Sequence, residues 1–233
     1  MFTGIVQGIA TLVAMTQKSG YLTIKVKFPQ EHLIALELGA SVALNGVCLT
    51  VVSIEKDIID FDVIQNSLKI TTFDSIKIGD SINFERSLKN DSEIGGHFLS
   101  GHVDFSAKVT KICTNQFGHG ISILIDTNWM KYIFDKGFIG INGASLTVAE
   151  VDKTAQELTC WIIPETLTRT NMSQLQVGSL VNIEIDRNTQ IIVDTLSRVA
   201  HEHFGKLSHS IENIMRDMGT AEVLKNQLNK LGK

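Results

Sequence analysis

The sequence predicts an all-β fold with short helices: two tandem six-stranded barrels followed by a C-terminal α-helix. Three observations carry this reading. The chain repeats itself, each repeat alternates apolar and polar residues with a period of two, and near residue 189 the alternation gives way to three- and four-residue spacing.

The repeat is clearest where Leu44-Asn45-Gly46-Val47-Cys48-Leu49-Thr50-Val51 meets Ile141-Asn142-Gly143-Ala144-Ser145-Leu146-Thr147-Val148, at an offset of 97 residues. Gly4-Ile5-Val6 aligns with Gly101-His102-Val103 at the same offset. Further on, Asn66-Ser67-Leu68 lies opposite Glu165-Thr166-Leu167, and Gly79, Asn83 and Glu85 lie opposite Gly178, Asn182 and Glu184, at an offset of 99. Order is kept through separate blocks, so the chain is a tandem duplication with its seam near residues 90–98 and an unduplicated tail from about Thr189.

Within the first half, Leu22, Ile24, Val26 and Phe28 alternate with Thr23, Lys25 and Lys27, as in a half-buried strand. Glu31–Leu38 fits a short helical piece. Leu49–Ile54 is a β-branched run bounded by Asn45-Gly46 and Glu55-Lys56-Asp57, and Ile59, Phe61 and Val63 alternate with Asp60 and Asp62. In the second half, Gly118-His119-Gly120 reads as a turn, Trp129–Phe134 as the counterpart helical piece, and Ile163-Pro164-Glu165-Thr166-Leu167 as a strand end turning into a helix, with proline fixing the backbone. About six strands per half with glycine turns suit a small closed barrel, which leaves no exposed strand edge. In the tail, Ile192, Leu196, Val199, Ala200 and Phe204 follow helical spacing. Its apolar stripe is either an oligomer contact or a face packed back on its own barrel. From about Ser208 a second short helix or a frayed end is expected.

Composition narrows the function. With 43% apolar residues among 233, the chain can bury a large core. A net charge of −4 without any basic block disfavours a nucleic-acid partner. The three cysteines, Cys48, Cys113 and Cys160, are odd in number and widely spaced, which argues for reduced thiols in the cytoplasm and against a disulfide framework or structural zinc. No basic leader region precedes the first apolar residues, and no apolar run reaches the length of a membrane span.

Chemistry-capable residues gather in few places. Ile94-Gly95-Gly96-His97-Phe98-Leu99-Ser100-Gly101-His102-Val103-Asp104 is the densest polar and glycine cluster; it is either a ligand-contacting segment or an inter-domain linker with exposed histidines. Cys48 and Thr50 share one strand face, as do Ser145 and Thr147, and both pairs are expected to point into a barrel mouth where small polar groups can bond a heterocycle. The turn at Pro164 either offers free amide N–H groups to a carbonyl-rich ring or an anion, or is a simple helix start. Asp186 ends an alternating strand and reads as a solvated aspartate. Ser-His-Asp order, a P-loop and GxGxxG are all missing.

Taken together these residues resemble the riboflavin synthases. The resemblance rests on Met1-Phe2-Thr3-Gly4-Ile5-Val6, Gly39-Ala40-Ser41-Val42, Asn45–Val51, Gly95-Gly96-His97 with Ser100–Val103, Lys136-Gly137-Phe138-Ile139-Gly140, Ser145–Val148 and Ile163–Leu167, and it runs from residue 1 to about residue 200. It implies Greek-key barrels at residues 1–97 and 98–188, each binding a lumazine, with residues 189–233 serving oligomerisation. The implied activity is the joining of two 6,7-dimethyl-8-ribityllumazine molecules, with transfer of a four-carbon unit, to give riboflavin and 5-amino-6-ribitylamino-uracil. Also implied are a cytoplasmic homotrimer, no metal or redox cofactor, and association with lumazine synthase.

Carried over residue by residue, the resemblance places one pocket at Cys48, Leu49, Thr50 and the segment Asp62, Val63, Ile64, Gln65, Asn66 and Ser67. The other is at Ser145, Leu146, Thr147 and the segment Ile163, Pro164, Glu165, Thr166, Leu167 and Thr168. Gly4, Ile5, Val6, Gly101, His102, Val103 and Lys136 complete the two. Asn66-Ser67 departs from the more usual Glu-Thr, which the second half keeps at Glu165-Thr166. For catalysis, side-chain chemistry and resemblance point to His102 for proton movement, to Ser41 and Cys48 for delivering a nucleophile, and to Asp186 for orienting a partner. The rival is a non-catalytic lumazine- or flavin-carrying fluorescent protein. A pure carrier has no need to keep Ser41, Cys48, His97 and His102 together. A flavin reductase would need a nicotinamide-binding domain, for which the duplicated second half leaves no room.

Overall fold

The computed structural model describes residues 1–89, 94–115 and 118–217. Met1–Arg187 forms one compact unit, and the chain from Asn188 onward forms a second.

The first half contains strands β1 (Gly8–Lys18), β2 (Tyr21–Lys27), β3 (Ser41–Leu44), β4 (Val47–Glu55) and β5 (Ile58–Ile64), helix α1 (Gln65–Ile70) and strand β6 (Ser81–Arg86). They close into an antiparallel barrel in the order β1-β2-β5-β4-β3-β6. The second half has β7 (Phe105–Asn115), β8 (Gly118–Leu124), α2 (Thr127–Met130), β9 (Phe138–Ile141), β10 (Ala144–Asp152), β11 (Glu157–Ile162), α3 (Pro164–Arg169) and β12 (Leu180–Ile185). Its barrel repeats the same order, β7-β8-β11-β10-β9-β12. The steps from β2 to β5 and from β3 to β6 make each barrel a Greek key.

Alternation decides which side chains enter the barrel. Leu12, Ile24, Val26, Leu44, Ile59 and Ile82 are 0% exposed, and their strand neighbours point outward. Burying each such side chain is worth about 1.5–3 kcal/mol. A bulge bends β1 between Leu12 and Ala14 and β4 between Val51 and Ser53; β7 and β10 carry bulges at the repeat-equivalent places, Val109/Lys111 and Val148/Glu150. Bulges increase strand twist and help a short sheet to close.

The short helices differ from expectation. Only Gln30–His32 forms a 3-10 turn, and Glu31–Leu38 is not a helix. The Arg86 guanidinium takes the carbonyls a helix would use internally, donating to His32 O at 3.2 Å, Ile34 O at 2.7 Å and Ala35 O at 2.8 Å. In the second half the helix begins earlier, at Thr127, because Asp126 caps it by accepting from the Asn128 N–H at 2.9 Å. Gly118-His119-Gly120 is not a turn but the start of β8, paired with β7 and β11. Helix α4 (Arg187–Asp217) runs unbroken past Ser208, so a separate element does not begin there; the remainder of that expectation, residues 218–233, lies outside the described residues. Ile191, Ile192, Leu196, Val199 and Phe204 on α4 are exposed. Among the described residues no helix is long and apolar enough to cross a membrane.

The two barrels meet across a pseudo-twofold axis, and equivalent residues touch. Asn45-Gly46 and Asn142-Gly143 are hairpin turns with positive φ at both positions, 45° and 81° in the first and 45° and 80° in the second. They sit back to back. A Cβ built on Gly46 would lie 2.8 Å from Gly143 N, and one on Gly143 would lie 2.8 Å from Gly46 N. Four asparagines lock the contact: Asn83 Nδ2 donates to Asn142 O at 3.0 Å and Asn182 Nδ2 to Asn45 O at 2.8 Å. Asn45 Oδ1 accepts from Asn83 N–H and Asn142 Oδ1 from Asn182 N–H.

This contact predicts that Gly46→Ala and Gly143→Ala each cost more than about 3 kcal/mol, since left-handed strain of about 1–2 kcal/mol adds to a backbone collision. Gly20→Ala shares the positive φ, at 89°, but meets nothing within 4 Å. It should show the strain alone. Urea unfolding checks this: equal losses in all three variants would show that the turns do not press on each other.

Candidate functional site

Each half lends its lead segment to the other. Glu85 on β6 is buried and accepts from Thr3 N–H and Thr3 Oγ1–H, both at 2.7 Å, and from Gly4 N–H at 3.0 Å. Glu184 on β12 repeats the anchor with Ser100 N–H at 2.6 Å, Ser100 Oγ–H at 2.7 Å and Gly101 N–H at 3.1 Å. Each segment then crosses over. Ser145 N–H donates to Gly4 O at 2.8 Å, and Cys48 N–H donates to Gly101 O at 2.8 Å. Phe2 and Leu99 pair with each other on the way. Gly4 and Gly101 have φ of 72° and 79°, and a Cβ on either would lie 2.5 Å from the Cβ of Ser145 or Cys48 respectively. Glycine is required at both crossings.

Gly101-His102-Val103 therefore flanks the first barrel's Cys48 strand, with Val103 inside that barrel's core cluster, and Gly4 flanks the second barrel's Ser145 strand. Burying Glu85 pushes its carboxyl above the usual range, and the donors from Thr3 and Gly4 only partly offset this. The fold favours its protonated form more than the unfolded chain does, so its contribution to stability is full below pH 4.5 and falls as pH rises through the raised value.

The polar strand pairs correct one expectation. Cys48 and Thr50 do share a face, as do Ser145 and Thr147, but it is the outside of the barrel and not its mouth. Leu49 and Leu146 fill the interior, while Thr50 and Thr147 are exposed and Cys48 and Ser145 half-buried. Ser41 pairs with Thr50 on the same outer face. Asp62 pairs with Thr23 and accepts from Thr23 Oγ1–H at 2.6 Å. Ile64, Gln65 and Asn66 are exposed at the start of α1, as Ile163, Pro164 and Glu165 are at the start of α3. Lys136 is exposed with a φ of 65°, its N–H bonded to Val148 O.

The four candidate catalytic residues fall into two groups. Cys48 and Ser41 lie on the first barrel's outer face, and His102 stands exposed beside Gly101. Asp186 is instead half-buried, not a freely solvated strand end, and its charge acts on His97. His97 is 7% exposed, stacks on Phe138 with ring centroids 5.2 Å apart, and places Nδ1 2.6 Å from Ser145 Oγ. Burial pushes its imidazole below 6.5, against the opposing charge of Asp186. A neutral imidazole beside a serine hydroxyl can accept that proton.

A cavity of about 370 Å³ lies against the asparagine turns, lined by Asn45, Thr72, Asn142 and Asn171, and holds none of the sequence-predicted ligand residues. A second, of about 700 Å³, is bordered by Ile5, Val6, Arg86 and Arg169. Sequence reasoning missed Glu85 and Glu184 as anchors, although both were visible as a repeated pair. It also missed the His97–Ser145 contact, which residue order does not reveal because the two lie 48 residues apart.

Comparison with known proteins places both halves. The pattern of the lumazine binding domain family matches residues 3–87 and 100–186. The riboflavin synthase of Escherichia coli (strain K12) is 46% identical over 221 residues, covering 94% of this chain and 99% of its own. That of Chlamydia pneumoniae is 39% identical, covering 85% and 96%. Among solved structures, LumP complexed with 6,7-dimethyl-8-(1'-D-ribityl) lumazine superposes with a TM-score of 0.73 at 28% identity, covering 80% of this chain and 100% of its own. LumP complexed with riboflavin gives 0.75 at 29% identity with the same coverage.

The burial of His97 carries a pH prediction. Its folded value lies below 6.5, so stability from the neutral ring is full above pH 6.5 and is lost as pH falls toward the folded value. An NMR titration should find His97 neutral at pH 6.5. A midpoint at or above 6.5 would contradict the burial argument.

Proposed function

We propose that this chain, which belongs to the lumazine binding domain family, works as a riboflavin synthase. It joins two molecules of 6,7-dimethyl-8-ribityllumazine, moves a four-carbon unit from one to the other, and releases riboflavin and 5-amino-6-ribitylamino-uracil. The observation that carries this is the near end-to-end match, through both halves, to curated riboflavin synthases.

In this reading residues 1–97 and 98–188 each hold one lumazine. Cys48, Leu49, Thr50 and Asp62–Ser67, with Gly101, His102 and Val103, hold the first. Ser145, Leu146, Thr147, Ile163–Thr168 and Lys136, with Gly4, Ile5 and Val6, hold the second. The crossed hydrogen bonds from Cys48 to Gly101 and from Ser145 to Gly4 support this grouping. The reaction removes a proton from the C7 methyl of one lumazine and adds a nucleophile to the other. An acidic methyl beside an electron-poor ring needs only a modest base, and two ligands held face to face supply much of the rate. His102 moves protons, Ser41 and Cys48 deliver the nucleophile, Asp186 orients a partner, and His97 with Ser145 supplies a second proton acceptor.

Each barrel offers one face, so two faces must meet. We place that meeting between the first barrel of one subunit and the second barrel of another, in a cytoplasmic homotrimer held by the exposed apolar residues of α4, with lumazine synthase as a further associate. The likeness to LumP favours one alternative, a carrier without turnover. The higher identity to riboflavin synthases favours the enzyme.

Purified protein given 6,7-dimethyl-8-ribityllumazine, EDTA and no cofactor is expected to form riboflavin, read by absorbance. Tight binding without product would make it a carrier. Thr50→Trp and Thr147→Trp variants should each be inactive alone yet recover part of the activity when refolded together, because mixed trimers contain some doubly intact sites. A mixture that stays inactive would place the site within one chain.

A further inference from the structure

The two outer faces are built from equivalent positions but carry opposite chemistry. On the first barrel, Ser41 pairs with Thr50 across β3 and β4, and Asp62 pairs with Thr23 across β5 and β2. The repeat-equivalent residues on the second barrel are Phe138 paired with Thr147 and Trp161 paired with Gly120. Paired residues of antiparallel strands share a side, so Ser41 lies beside Thr50 and Asp62 beside Thr23 on the first barrel, where Phe138 lies beside Thr147 and Trp161 beside Gly120 on the second. The ladder between β4 and β5 reaches Val51–Phe61, and that between β10 and β11 reaches Val148–Cys160. Asp62 and Trp161 each follow directly after the last residue of that ladder, Phe61 and Cys160, and both are half-buried.

The indole is held in place. A Cβ on Gly120 would lie 2.9 Å from Trp161 Cζ3, 3.1 Å from its Cε3 and 2.9 Å from Cys113 Sγ. Only glycine leaves room for the ring to lie over the strand, and Thr23 occupies that position on the first barrel. The exchange is coupled: a hydrogen-bonded Thr23–Asp62 pair on one face, a glycine under a flat indole on the other.

We propose that Trp161 is a specificity-determining residue that makes the two lumazine pockets unequal. It gives the second barrel an aromatic wall on which the bound ligand rests, while Asp62 gives the first barrel an acceptor for ligand hydroxyl groups. This rests on the lumazine-binding reading above. Aromatic contact of this kind is worth about 0.5–1.5 kcal/mol beyond area burial, so losing it weakens one pocket about two- to tenfold.

Riboflavin, the proposed product, is a suitable probe because an indole in van der Waals contact quenches flavin emission by electron transfer. Equilibrium dialysis of the full chain counts the sites, and the emission of the bound flavin shows contact. In the unmodified protein part of the bound riboflavin should be dark. Trp161→Leu should restore its emission and weaken one class of sites two- to tenfold, leaving the other unchanged. Trp161→Phe should restore emission with a smaller loss of affinity, and it guards against a folding defect. Flavin emission unaffected by either variant, with all sites still filled, would overturn the role of Trp161 and leave the functional reading standing. Failure of the unmodified protein to bind riboflavin or the lumazine would overturn both.

Discussion

The backbone contact between the turns at Asn45-Gly46 and Asn142-Gly143 is the constraint on which the rest depends. Two hairpin turns can approach to the point where a single Cβ would collide only if both carry glycine there. The approach buries the turns' polar groups, and each must find a partner or cost about 1–3 kcal/mol. Asn83 and Asn182 supply those partners across the axis, and their side-chain Oδ1 atoms accept from Asn171 N–H and Thr72 N–H. The pairs at Asn83 and Asn182 repeat about the axis, and the Asn171 amide adds a further bond to Asn45 Oδ1 at 3.0 Å, so the network fixes one relative placement of the barrels.

That placement brings the lead segments within reach of the opposite barrel. Glu85 and Glu184 hold the two leads by their N–H groups, leaving the carbonyls of Gly4 and Gly101 to accept from Ser145 and Cys48 near the starts of β10 and β4. A site assembled this way takes its backbone from one half and its strand face from the other. Duplication thus interlocks the two halves, because each lead segment is bonded to a strand of its twin.

Symmetry stops at the side chains that touch the outer faces. His97, in the connecting segment, meets Ser145 and Phe138 of the second barrel. Asp62 and Trp161 occupy the same place with opposite chemistry. A reaction that treats two identical substrate molecules differently needs such a difference, and here it is built by substitutions on a common frame.

The sequence by itself determined the repeat, about six strands per half, their alternation and the resemblance to a family, because period-two burial and glycine turns are local properties written in residue order. It also picked out Cys48, Thr50, Ser145 and Thr147 as pairs on a shared face. It did not show that this face is the outside, since alternation is blind to which side a barrel closes on. It expected a helix over Glu31–Leu38 from spacing alone and could not foresee Arg86, 51 residues away in sequence, taking the Ala35 carbonyl. Nor does any spacing reveal the contacts of His97 with Ser145 or of Trp161 with Gly120. Those were decided only by tertiary structure, because they join segments whose distance in space is set by barrel closure and by the meeting of the two asparagine-glycine turns.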